Sequence, residues 1–201
     1  MTNPLLAPFE APFGLPPYDR IEDAHFGAAF DAALDAARAE LAAIARQPAP
    51  PDFDNTIRAI EAAGAPLDRV LGAFFSMAGP DATPARQALQ RSLAPRLAAF
   101  SSDLYGDRDL WARVRAVWDA REDLGLDAQD ARLLELTHRA FVRAGAALTG
   151  AEAQRMREIK ERLAVLGTRF GQNLLADEAG WRMELSEADL QGLPAFLVEA
   201  A

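Results

Sequence analysis

Apolar residues recur every three or four positions through most of this chain, a spacing that places them on one face of an α-helix. The first such stripe covers residues 26–44 and is followed by a proline at position 48. A second stripe covers residues 57–78 and stays in phase across Pro66. Because the phase is kept, the pattern predicts one helix kinked at this proline rather than two separate helices.

Four further helices are predicted downstream. The third covers residues 83–105, the fourth follows Asp107, and the fifth runs from near Asp127 to Gly145, since glycine is favoured just past a helix C-terminus. The sixth begins with a capping-box pattern at residues 149–152. Its apolar stripe consists of Met156, Ile159, Leu163, Leu166, Phe170 and Leu174.

The two ends of the chain lack this helical pattern. Residues 1–20 are rich in proline and aromatic side chains, which predicts an extended arm that packs against an apolar surface. Residues 181–185 alternate apolar and polar side chains, and the last residues up to Ala201 form a helix-like run without a terminator. We therefore expect an all-α bundle of about six amphipathic helices. Its parts are the arm (1–20), a helical N-terminal domain (21–178), and a linker with the start of a truncated following segment (179–201).

Composition excludes several classes of protein. The chain has no cysteine, so disulfide frameworks, thiolate metal sites and cysteine nucleophiles are absent. Its 30 acidic and 21 basic residues give a net charge of −9, and no basic cluster provides the footprint that nucleic-acid binding requires. No apolar run is long enough to span a membrane, and the N-terminus lacks the features of a secretory signal. We expect a cytoplasmic protein that binds neither nucleic acid nor membrane.

Candidate catalytic and metal-binding groups are few. The two histidines, His25 and His138, lie on different predicted helices, and neither belongs to an H-E-x-x-H motif. No serine has the G-x-S-x-G context of a hydrolase, and no phosphate-binding loop is present. Gly167 and Gly171 fall inside a predicted helix, where they favour close helix packing. We therefore predict no catalytic residue, no metal ligand and no cofactor in this chain.

One stretch deserves a functional hypothesis. Arg139 and Arg143 are four residues apart and share a helix face next to His138. These three residues are candidates for contact with an anion or carboxylate, or for lining a channel. The alternative is a solvated basic face that pairs with acidic residues. Pairs of acidic residues at predicted helix starts, such as Asp127 and Asp130, are explained as helix caps.

Several stretches, taken in order, resemble one family. They are Leu15-Pro-Pro-Tyr-Asp-Arg-Ile21, Pro50-Pro-Asp-Phe-Asp-Asn-Thr-Ile57, Leu93-Ala-Pro-Arg-Leu97, His138-Arg-Ala-Phe-Val-Arg-Ala-Gly-Ala-Ala-Leu148 and Phe170-Gly-Gln-Asn-Leu-Leu-Ala176. The family is the thimet oligopeptidase and peptidyl-dipeptidase group of zinc metallopeptidases. The resemblance covers nearly the whole chain and is closest to the bacterial peptidyl-dipeptidases, with oligopeptidase A second.

This resemblance implies a large helical enzyme whose two halves border a deep channel for short peptides. In the family, the zinc ligands and the general-base glutamate lie in the C-terminal half. The resemblance thus implies that this chain is a channel wall or lid, that its partner is the catalytic domain of the same enzyme, and that zinc belongs to the full-length parent. No catalytic residue is transferred to this chain, which we expect to be inactive alone.

Two other functions stay open at the level of sequence. The chain is alternatively a stand-alone helical interaction module that binds a partner helix or peptide, or that self-associates through apolar surface. A metal-binding helical bundle is the third possibility. It would need ligands beyond the two histidines.

Overall fold

The computed structural model describes residues 3–81, 83–184, 186 and 188–200. All regular secondary structure in these residues is helical, which confirms the predicted all-α class. The α-helices are α1 (Asp23–Ala45), α2 (Ala59–Ala62), α3 (Ala65–Ala78), α4 (Pro84–Gly106), α5 (Arg108–Asp119), α6 (Ala128–Ala144), α7 (Gly150–Gly180) and α8 (Ala195–Ala200). Six of these are long, five of them (α1, α4, α5, α6 and α7) where the sequence predicts a helix, and α2 and α8 are short.

The predicted single helix kinked at Pro66 is wrong. A π-helical turn (Phe53–Arg58) leads into α2, and the chain then breaks at Gly64, which has a φ of +83°. This left-handed conformation suits glycine because it has no Cβ. Pro66 follows in the first turn of α3. A backbone N–H at this position has no acceptor within the helix, so a proline there costs no hydrogen bond. Placing the proline at a helix start avoids the disruption that it would cause inside one.

Helix ends follow the sequence signals in most cases. The side chains of Thr83, Asp107 and Asp127 accept hydrogen bonds from backbone N–H groups in the first turns of α4, α5 and α6. Helix α6 ends at Gly145, whose φ of +98° confirms the predicted glycine cap. The capping box predicted at the start of α7 is wrong, because the Thr149 side chain makes no capping hydrogen bond.

The most deeply buried residue of the N-terminal arm is aliphatic rather than aromatic. Two short 3-10 turns, Pro4–Leu6 and Pro12–Gly14, interrupt the extended backbone predicted for residues 1–20. Leu5 is buried and belongs to the core of the bundle, whereas Phe13 is fully exposed. Phe9 is partly buried against the same core. The expected apolar contact of the arm is therefore confirmed for Phe9, and for Phe13 it stays a prediction. Met1 and Thr2 lie outside the described residues.

The chain divides into two compact units, residues 1–148 and 149–201. This division differs from the boundaries at residues 20 and 178 that the sequence suggested, which stay a prediction. The first unit holds both hydrophobic cores. One core joins the arm to α1, α3 and α4 around Phe26, Phe30 and Phe74, and the other joins the end of α1 to the π-helical turn, α5 and α6. Each fully buried large apolar side chain contributes about 1.5–3 kcal/mol to folding.

The second unit consists of α7, the segment that follows it and α8. None of its described residues is buried. Residues 181–184, where apolar and polar side chains alternate, form no strand. Leu185 and Ala201, which completed the patterns noted at this end of the sequence, lie outside the described residues.

Candidate functional site

His138 lies in a cluster of aromatic rings on the first unit. Its imidazole stacks on Trp118 with a centroid distance of 4.2 Å and an interplanar angle of 5°, and its centroid is 5.3 Å from that of Trp111. Trp111 also stacks near Phe141, which packs edge-on against Tyr105. The cluster arises because α4, α5 and α6 each direct aromatic residues of their apolar stripes into the second core.

Burial is the main influence on the charge of His138. It lowers the pKa of the imidazole below its usual range, because the charged form loses solvation among the rings. The Asp119 carboxylate acts in the opposite direction and the Arg121 guanidinium in the same direction as burial. Arg121 also lies over the Trp118 ring, 4.7 Å from its centroid. The ring environment thus favours a neutral histidine.

The three predicted site residues, His138, Arg139 and Arg143, have different surroundings. The Arg139 guanidinium lies 3.2 Å from the Glu135 carboxylate, which also binds Arg132. These two arginines lower the pKa of Glu135, with the hydrogen bond from Arg132 as the larger cause. Arg143 is exposed in the last turn of α6 and makes no ion pair with any described residue. Of the three, only Arg143 presents a cation without a described counter-ion.

Sequence reasoning missed a buried arginine on α5. The Arg113 guanidinium donates to the carbonyl oxygens of Gln47 and Ala49 at 3.0 and 3.1 Å, to the side-chain oxygen of Gln47 at 2.9 Å, and to Asn55 Oδ1 at 2.6 Å. All four acceptors are neutral. Arg113 therefore fixes the proline-rich segment between α1 and the π-helical turn. Its position on the apolar face of α5, three residues after Leu110, was the available signal.

A second buried arginine joins α4 to α1. Arg86 Nε lies 2.7 Å from Asp23, and its Nη1 atom lies 2.5 Å from the Asp81 carboxylate. The hydrogen bond with Asp23, followed by that with Asp81, raises the pKa of the guanidinium. This network serves as a structural clamp, since the cation of α4 pairs with both carboxylates and one of them, Asp23, lies on α1.

The acidic residues and the other histidine have local structural roles. His25 Nδ1 accepts a hydrogen bond from the Glu22 backbone N–H at 3.0 Å, which completes a capping box at the start of α1. Asp130 pairs with Arg58 at 2.5 Å. Within the described part of the chain, no three histidine, aspartate or glutamate residues are grouped so as to hold a metal ion. The described residues therefore do not fit a zinc site.

No described helix combines the length and the apolar character needed to cross a bilayer.

Comparison with known proteins identifies relatives of the chain. It is 40% identical to dipeptidyl carboxypeptidase of Salmonella typhimurium over 93% of its length, and 39% identical to the Escherichia coli protein of the same name over 99%. It is also 30% identical to oligopeptidase A of Escherichia coli over its full length. No family model matches.

The chain spans only 28–30% of the length of these three relatives. Such a share is consistent with one domain of a larger peptidase. Along almost its whole length the chain is thus homologous to one part of dipeptidyl carboxypeptidase and oligopeptidase A, which confirms the resemblance drawn from its sequence.

Proposed function

We propose that this chain is the N-terminal substrate-channel domain, a wall or lid, of a zinc-dependent peptidyl-dipeptidase or oligopeptidase that hydrolyses short peptides. The observation that carries the proposal is the identity of 39–40% with two dipeptidyl carboxypeptidases over 93–99% of the chain. Homology at this level over a whole domain supports a shared fold and a shared role within the enzyme.

The chemistry of the described residues supports a role without catalysis. His25 is engaged in a helix cap, His138 is stacked between rings, and no ligand set for zinc is assembled. In this proposal the zinc and the general base belong to the catalytic domain, which is the partner of this chain. The helices of the first unit are instead held by two cores and two buried arginine clamps. A channel wall needs this rigidity to keep its shape.

Within this proposal Arg143 is the residue best suited to contact a peptide carboxylate. It is exposed and has no described counter-ion, whereas Arg139 is paired and His138 is packed among rings. A guanidinium binds a carboxylate through two parallel N–H donors. His138 and Arg139 then position and support the surface around it. We further propose that the enzyme acts in the cytoplasm and binds neither nucleic acid nor membrane.

A chimera tests the domain assignment in a complete enzyme. The segment of Escherichia coli dipeptidyl carboxypeptidase that matches this chain is replaced by this chain, and hydrolysis of a quenched-fluorescent short peptide is measured. We expect the soluble chimera to keep measurable activity. A chimera that folds, binds zinc and has no activity would contradict the proposal.

The isolated chain provides the complementary assay. We expect the purified 201 residues to show no turnover of the same peptide with or without added zinc, because the described residues bring no zinc ligand set together. Zinc-dependent turnover that co-purifies with the chain would overturn the assignment of catalysis to another domain.

A stand-alone interaction module is the second candidate. The observation in its favour is the exposed apolar stripe of α7, which has the character of a helix-binding surface. Soluble, folded chimeras that are inactive, together with self-association of the chain in light scattering, would favour this candidate over the peptidase domain.

A further inference from the structure

Helix α7 presents an apolar stripe to solvent. The stripe residues Ile159, Leu163, Leu166, Phe170 and Leu174 are 40–69% exposed. Their first four members alternate steps of four and three residues, the spacing of a seam between two helices that cross at a small angle. An apolar stripe of this length and exposure is the surface expected of a helix that packs on a partner.

A row of arginines borders this stripe on one side. Arg155, Arg162 and Arg169 are seven residues apart, so they lie on one line along α7, and the last two immediately precede Leu163 and Phe170. Arg155 pairs with a glutamate of the same helix at 3.2 Å. Arg162 and Arg169 make no ion pair with any described residue. The border of the stripe therefore carries positive charge in a chain whose net charge is −9.

Two glycines border the stripe on the other side. Gly167 and Gly171 are four residues apart and directly follow Leu166 and Phe170. A Cβ added at either position would meet no atom within 4 Å, so neither glycine is needed for packing in this structure. Glycine destabilises a helix interior relative to alanine. Their presence is explained if the backbone of another helix approaches closely here.

These three features together specify the chemistry of a partner. We propose that α7 docks an amphipathic helix of another polypeptide segment, whose apolar seam is bordered by aspartate or glutamate side chains facing Arg162 and Arg169. The partner lies close to the α7 backbone along Gly167 and Gly171.

A second copy of this chain fits the α7 surface less well. In a parallel pair, Arg162 and Arg169 of one copy face Gly167 and Leu174 of the other and gain no counter-ion. In an antiparallel pair the arginine rows face each other, and their like charges oppose association. An acidic border on the partner converts the same contacts into attraction. The inference rests on residues of α7 alone and does not depend on the proposed peptidase function.

Two synthetic helical peptides test the proposal with the full 201-residue chain. Both have about four heptads with leucine and isoleucine in the seam. One has glutamate at every flanking position and the other has lysine. Binding is measured by fluorescence anisotropy at low salt. We expect the glutamate peptide to bind about tenfold more tightly than the lysine peptide, since several charge pairs change sign. Equal binding, or no binding of the glutamate peptide, overturns the proposal.

Charge reversal localises the effect to α7. The variant Arg162→Glu/Arg169→Glu should prefer the lysine peptide, whereas the control Arg91→Glu/Arg108→Glu, with the same change in net charge at exposed positions of α4 and α5, should keep the original preference. Gly167→Ala/Gly171→Ala should raise the helicity of α7 and weaken binding of the glutamate peptide. If the control loses the preference as well, the effect is one of net charge, and the proposal is overturned.

Two further measurements separate the proposed partner from other occupants. Sedimentation of the chain alone should show a monomer, and a dimer abolished by Leu163→Asp would replace the proposed partner with a second copy. Vesicles of phosphatidylcholine with and without phosphatidylserine should not bind the chain. Binding that requires phosphatidylserine and is lost in Arg162→Glu/Arg169→Glu would assign α7 to a membrane surface instead.

Discussion

The two units of the chain use the same sequence pattern with opposite results. Phe74 of α3 and Phe170 of α7 both belong to stripes with three- and four-residue steps, yet Phe74 is 0% exposed and Phe170 is 69% exposed. In the first unit, helices from several parts of the sequence meet around two cores. In the second unit, one long helix has no described neighbour that buries its stripe. Periodicity therefore defines the apolar face of a helix and leaves its partner undefined.

The largest expected difference between the units concerns these two phenylalanines. Phe74→Ala should lower the free energy of unfolding by about 3–5 kcal/mol, because it removes a buried ring and leaves a cavity. The matched variant Phe170→Ala should change it by less than about 0.5 kcal/mol. Urea denaturation followed by far-UV circular dichroism measures both. Similar losses in the two variants would show that the stripe of α7 is covered in solution.

Arg113 tests how far the first unit depends on a buried polar clamp. Arg113→Ala should lower the free energy of unfolding by about 3 kcal/mol, since four acceptors lose a charged donor. Arg115→Ala, at an exposed neighbouring position, should cost less than about 1 kcal/mol. Arg113→Lys should not restore stability, because an ammonium group lacks the forked donor geometry. Thermal and urea unfolding of the three variants would settle the comparison, and a mild Arg113→Ala variant would refute the clamp.

The break between α2 and α3 is expected to be sensitive to a single methyl group. Gly64→Ala should lower the stability by about 1–2 kcal/mol, because a residue with a Cβ is strained at a φ of +83°. Gly72→Ala, inside α3 with open space around it, should instead stabilise the protein by about 0.5–1 kcal/mol. Opposite signs in the two melting temperatures are the expected result, and equal signs would contradict the assigned break.

The smallest expected effect is a dependence of stability on pH in the first unit. The lowered pKa of His138 means that the unfolded chain binds this proton more readily than the folded one. Stability should therefore be highest above the ordinary histidine pKa of about 6.5 and decrease as the pH falls below it. His138→Phe keeps a ring against Trp118 and should reduce this decrease. Melting temperatures between pH 5 and pH 8, roughly spanning the usual range of histidine, provide the measurement.

Local signals predicted the fold where one residue decides the geometry. Asp107, Asp127 and Gly145 mark helix ends because a side-chain acceptor or a left-handed backbone acts within one turn. Pro66 was misassigned because the stripe remained in phase across it, and phase does not distinguish a kink from a break followed by a new helix.

The candidate site was harder to predict because its properties come from distant parts of the chain. Arg139 and Arg143 share a helix face, but Glu135 neutralises only the first of them. The ring stack around His138 brings together residues from α5 and α6, and sequence spacing within one helix carries no information about such contacts. Arg113 was detectable as a cation on an apolar face, but its four acceptors lie more than 55 positions away in the sequence.

The burial of Leu5 affects when the N-terminal arm can fold during synthesis. Leu5 leaves the ribosome before α1, α3 and α4, yet the core to which it belongs also includes Phe74 of α3 and Leu93 of α4. Since synthesis proceeds from the N-terminus, the arm must wait until both α1 and α3, the helices that it contacts, have emerged. During that interval the growing chain exposes Leu5 together with the apolar face of α1. Chaperones then have the largest apolar surface available to bind.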